Sequence, residues 1–153
     1  MRILLYTLIL STLALNFNLC DCFPLNARTI EKLKEKSDLI AIGFPTEIIA
    51  SENNYEEDIV VFQIDSLIKG KNLNSRTILI NQNQAGNCAN YFELCEQYVI
   101  TGEKVQNVKQ TYRMGQNSHS RNLEDLVLEN YMISTDGCRT FKLNSSLAET
   151  FLD

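Results

Sequence analysis

The stretch Glu57-Asp58-Ile59-Val60-Val61-Phe62-Gln63-Ile64-Asp65-Ser66-Leu67 sets Val60, Phe62 and Ile64 against Val61, Gln63 and Asp65. A period of two sends successive side chains to opposite faces, so this segment reads as a half-buried strand. Upstream, residues 38–44 (DLIAIGF) form an apolar, β-rich run that Pro45 is expected to end. Downstream, Lys69-Gly70-Lys71-Asn72 supplies a turn and residues 76–81 (RTILIN) a further short strand. Residues 97–101 (QYVIT) and 126–134 (LVLENYMIS) bring the strands to at least five. The polar segment 104–121, with Gly115, reads as a hairpin with an exposed tip. Helices flank this set. Residues 27–37 place Ile30 and Leu33 on one side with lysines elsewhere, and residues 144–152 open on polar caps. Five short strands with brief turns predict an all-β barrel with short flanking helices, because closing the sheet hides its edges.

Composition agrees with one compact domain. The chain has 153 residues, 44% of them hydrophobic and 22% charged, which supports a packed core and excludes wholesale disorder. Its net charge of −5 is wrong for a polyanion-binding surface. A single histidine, His119, rules out a site built from several imidazoles.

The N-terminus decides how the cysteines are read. Arg2 precedes a mostly apolar run from Ile3 to Leu15, and Asn16 then breaks it. That is the pattern of a secretory signal peptide, whereas a membrane span needs ~20 apolar residues. Residues 1–19 are therefore expected to be a signal peptide and 20–153 the folded domain. Two cleavage points stay open: Thr12-Leu13-Ala14 would free Leu15, and processing after Leu19 would open the chain on Cys20. The expected location is secreted, or periplasmic or a surface lipoprotein in a bacterium, with membrane contact only if Cys20 is lipidated. Outside the reducing cytosol cysteines pair, and five cannot all pair within one chain.

Six elements then occur in order: Cys20-Asp21-Cys22, Ser37-Asp38-Leu39-Ile40, Leu67-Ile68-Lys69-Gly70, Asn87-Cys88-Ala89-Asn90, Gln97-Tyr98-Val99-Ile100 and Ser134-Thr135-Asp136-Gly137-Cys138. This series resembles the N-terminal domain of the tissue inhibitors of metalloproteinases and, more broadly, the netrin-like module. The resemblance spans nearly all of residues 20–153. It implies a five-stranded OB-fold barrel, with disulfides Cys20–Cys88 and Cys22–Cys138 tying an N-terminal ribbon to it. Cys95 is then left as a free thiol, at a place near which the family usually carries glycine. A second pairing stays open: with Cys20 lipidated, Cys22–Cys138 and Cys88–Cys95 would use the other four.

The resemblance also implies a function. Inhibitors of this family chelate the catalytic zinc of a protease through the α-amine and carbonyl of their first cysteine. Here that residue is Cys20, if it is the mature N-terminus, with Asp21 entering the specificity pocket. An α-amine with a pKa near ~7.7–8.0 offers a neutral lone pair, and catalytic zinc keeps an open position for it. The expectation is a secreted, non-enzymatic protein with no cofactor of its own and an extracellular partner such as a zinc metalloprotease. The alternative is a netrin-like module that binds a protein partner without inhibiting a protease.

Other patterns have bland readings. Lys104, Lys109, Arg113 and Arg121 around Tyr112 suggest single-stranded nucleic acid on an OB fold, but the acidic total opposes it. Glu56-Glu57-Asp58 and Glu124-Asp125 lack the spacing of a calcium loop and read as solvated faces. Ser118-His119-Ser120 are neighbours in sequence only, not a nucleophile–base pair. Cys95 has no activating base or cation nearby in sequence and is expected to be an inert, buried thiol. Asn144-Ser145-Ser146 fits an N-glycosylation sequon, relevant in a eukaryote.

Overall fold

A computed structural model describes residues 22, 24–49, 58–71, 73–82, 91–106 and 130–153. Helix α1 (Ala27–Lys36) comes first, followed by strands β1 (Leu39–Ile49), β2 (Ile59–Lys69), β3 (Thr77–Gln82) and β4 (Tyr98–Lys104). Strands β5 (Tyr131–Thr135) and β6 (Thr140–Lys142) and helix α2 (Ser146–Leu152) complete the order. Hydrogen bonding runs β1–β2–β3–β5–β4, and β4 returns to β1, so five strands close on themselves. All pairings are antiparallel except β3 with β5. This is an all-β barrel of the OB type with two short helices outside it.

Alternation along the strands builds three apolar layers. Val60, Phe62 and Ile64 of β2 point into the barrel with Leu39, Ile78 and Ile133. The opposite face of β2 carries Ile59 and Val61, which pack with Leu79 and Met132 on the outer wall. The third layer joins the helices to the barrel, with Ile30 of α1 and Ala148 and Phe151 of α2 against Ile40, Val99 and Phe141. Each fully buried large apolar side chain contributes on the order of 1.5–3 kcal/mol.

Strand β1 does not stop at Pro45. It runs on to Ile49, with Pro45 opposite Phe62 of β2. The expectation failed because proline is excluded only where its missing N–H is needed. The β1–β4 ladder has already ended at Gly43–Tyr98. The Pro45 carbonyl, which shares an edge with its nitrogen, instead accepts the Cys95 N–H at 3.2 Å. Three register shifts bend β1 so that it can serve both neighbours. At Gly43 the strands come so close that a Cβ would drive into the Gln63 carbonyl.

Strand bounds elsewhere shift by a few residues from those expected, and the segments 107–121 and 126–129 fall outside the described residues. The short strand β6 was not anticipated. Three residues are too few to show a period of two, and Thr140-Phe141-Lys142 is recognised only through its pairing with Ile100, Val99 and Tyr98.

The Ser37-Asp38 and Lys69-Gly70 elements meet at the C-terminus of α1. Ser37 donates to the Leu33 carbonyl through both its N–H (3.1 Å) and its hydroxyl (2.7 Å). Lys69 Nζ donates to the carbonyls of Lys34 (2.7 Å) and Glu35 (3.0 Å). Three carbonyls that helix geometry leaves unpaired are thereby satisfied, with a cation placed at the negative end of the dipole. Asp38 Oδ2 accepts the Lys104 N–H at 2.8 Å, tying the start of β1 to the end of β4. At its other end α1 has a reciprocal cap: Asn26 accepts from the Thr29 N–H, and Thr29 accepts from the Asn26 N–H.

Candidate functional site

The site begins with a break in a strand. Strands β5 and β6 line one edge of β4, pairing Lys104 with Ile133 and Glu103 with Ser134, then Ile100 with Thr140. Between these pairs the β5–β6 side carries extra residues, Asp136 to Arg139, that leave the ladder as a turn. The Arg139 carbonyl returns to the ladder by accepting the Thr101 N–H at 2.9 Å.

The turn is held by its own side chains. Asp136 accepts the Cys138 N–H through Oδ1 at 2.8 Å, and its carbonyl accepts the Arg139 N–H at 3.1 Å. Arg139 bridges Glu103 at 3.0 Å and Asp136 at 3.5 Å. Both pairs are partly exposed, so each contributes roughly 0–1 kcal/mol. Beneath them the Thr135 hydroxyl donates to the Thr101 carbonyl at 2.6 Å and lies 3.4 Å from the Thr140 hydroxyl.

Cys138 sits at the head of this turn and forms a disulfide with Cys22, with their Cα atoms 5.3 Å apart across 116 residues of chain. Cys22 itself is exposed. The N-terminal segment is thus bonded to an outward-facing bulge of the barrel wall. Both pairings left open by the sequence contain this bond, and Cys20, Asp21 and Cys88 lie outside the described residues.

Cys95 lies elsewhere and is not buried. It is a free, exposed thiol among the described residues. The loop holding it is plugged into the barrel by Phe92, whose ring meets Tyr98 and Phe62 edge-on at centroid distances of 5.0 and 6.3 Å. The Tyr98 hydroxyl accepts the Glu93 N–H at 2.9 Å, and Lys142 pairs with Glu93 at 2.7 Å. The Glu96 N–H then closes a turn on the Glu93 carbonyl. Cys95 occupies the third position of that turn with φ of +65°, which turns its side chain outward. A positive φ suits glycine, which has no Cβ to strain.

Among the described residues no group of three or more His, Cys, Asp or Glu side chains could hold a metal ion, and no helix is long and apolar enough to cross a membrane. His119, Glu56, Glu57, Lys109, Tyr112, Arg113, Arg121, Glu124 and Asp125 fall outside the described residues. Sequence reasoning missed the bracing of Cys138 by Asp136, Arg139 and Glu103. The Asp-Gly pair at 136–137 signals a turn, but Glu103 is brought to it only by the β4–β5 pairing. No protein-family model matches the chain, and no curated protein sequence matches it.

Proposed function

We propose that this protein is a secreted, non-enzymatic binding module of the netrin-like type, acting through its N-terminal Cys20-Asp21-Cys22 ribbon on a zinc metalloendopeptidase. The observation that supports this reading best is the Cys22–Cys138 disulfide, which bonds the ribbon to a braced bulge on the barrel. A ribbon held in this way loses less conformational freedom when it enters a partner's cleft, which favours binding. In this reading the Cys20 α-amine and carbonyl ligate the protease zinc, and a second bond, Cys20–Cys88, completes the clamp.

A second reading is favoured by the charge of Asp21. A carboxylate entering an apolar pocket without a partner costs several kcal/mol, so the target pocket must be basic or the ribbon must bind another kind of protein surface. N-terminal sequencing of the mature protein, followed by inhibition assays against zinc metalloendopeptidases, separates the two. The inhibitor reading expects a chain starting at Cys20 that inhibits, with inhibition lost when one alanine precedes Cys20. A chain starting at Leu15, or one starting at Cys20 without inhibitory action, overturns it and leaves the binding-module reading.

A further inference from the structure

One end of the barrel opens into a cleft of about 580 Å³. Its walls come from the end of α1, the start of β1, the end of β2, the end of β4 and the start of β5. Three lysines line it, Lys69, Lys71 and Lys104, against two carboxylates, Glu35 and Asp38. In a chain of net charge −5 this is a local reversal of sign.

The cationic groups are not equivalent. Lys69 Nζ is held by two helix carbonyls and keeps one N–H for another acceptor. Lys104 Nζ is held over the Tyr131 ring, 4.9 Å from its centroid. Lys71 is exposed and makes no ion pair or hydrogen bond among the described residues. Burial of the Tyr131 phenol, and secondarily the nearby Asp38 charge, raise its pKa above the ordinary value, so it stays an O–H donor at neutral pH. One of the opposing carboxylates, Asp38, is already engaged by the Lys104 N–H. The cleft therefore presents donors, two of them on fixed ammonium groups, at a volume usual for small-molecule sites.

We infer that this cleft binds an oxyanion, a sulfate or phosphate group, through Lys69, Lys71, Lys104 and the Tyr131 hydroxyl. Tetrahedral oxyanions fit because donors from different elements line the one cleft and none forms the planar fork that favours a carboxylate. The site lies at the Tyr131 end of β5, about 13 Å of strand from the Cys138 bulge, and does not depend on the function proposed above.

The test is an amide NMR titration of the intact protein with inorganic phosphate and inorganic sulfate, ionic strength being held constant with sodium chloride. The expected result is saturable shifts at Lys69, Gly70, Lys71, Lys104 and Tyr131, with Lys71→Gln weakening binding about fivefold. Lys71 makes no hydrogen bond or ion pair among the described residues, so that variant should keep its urea stability. Lys104→Gln is the second variant, with the same expected loss. A sulfated disaccharide is the third arm: binding tighter than free sulfate assigns the group to a sugar chain, and equal binding assigns it to the free ion. Shifts that do not saturate, that scatter over the surface, or that persist unchanged in Lys71→Gln overturn the inference.

Discussion

Cys95, in the turn closed on Glu93, holds a backbone conformation that an L-residue enters at a cost of about 1–2 kcal/mol. Glycine adopts that conformation without strain. Cys95→Gly is therefore expected to raise the unfolding free energy by about 1 kcal/mol in urea titration, a gain reduced by glycine's greater freedom in the unfolded chain. Thr101 makes a second residue-scale case. Its backbone is paired on both sides, yet its hydroxyl is fully buried without a hydrogen-bond partner among the described residues. Thr101→Val keeps the branched shape and removes the desolvated hydroxyl, so a gain of about 1 kcal/mol is expected by the same measurement. Tyr131 gives the pH dependence. Its folded pKa lies above the ordinary value of 10.0, first through burial and then through Asp38. The corresponding stability is fully present below the unfolded pKa and is lost as pH rises through the folded one. Ultraviolet titration should show a tyrosine phase above 10.0 that is absent in Tyr131→Phe and moves down in Asp38→Asn.

At the scale of elements, one long side chain adds a polar tie to the apolar joint between α1 and the barrel. Lys69 reaches from the end of β2 to the last carbonyls of α1, and Ser37 satisfies the turn before them. Lys69→Met keeps the apolar stem and removes the donor. We expect a loss of about 1 kcal/mol, discounted for exposure, with faster hydrogen exchange at the Lys36 and Ser37 amides. Unchanged exchange there would mean that α1 is held by Ile30 and Leu33 alone. The Ser-Asp and Lys-Gly pairs were legible as landmarks, but not as partners, because each is local in sequence and their meeting is not. Strand β2 was legible because its alternation extends over many residues. Strand β6 was not, since three residues acquire strand character only from the β4 edge beside them. Pro45 misled for a related reason: whether a missing N–H matters depends on which neighbour lies on that side.

For the molecule as a whole, the Cys22–Cys138 bond closes 116 residues of chain and is the longest covalent constraint among the described residues. In the chain-entropy model such a loop contributes about 5 kcal/mol, chiefly by restricting the unfolded state. The double variant Cys22→Ser/Cys138→Ser should therefore lose about 5 kcal/mol in urea titration while keeping its far-ultraviolet dichroism in buffer. A loss of well under 1 kcal/mol would show that the unfolded chain is already restrained near these positions. The sequence by itself determined the class of fold, the order of the main strands and two helices, and an odd cysteine count. These follow from local periodicity and arithmetic, which need no knowledge of neighbours. Only the tertiary structure decided that β5 and β6 share one edge of β4, that their break carries Cys138, and that Cys95 faces outward. It also brought lysines from two separate places, the ends of β2 and β4, to one barrel end. Each of those facts depends on contacts between residues far apart in the chain, and pairing across a closed barrel is what brings them together.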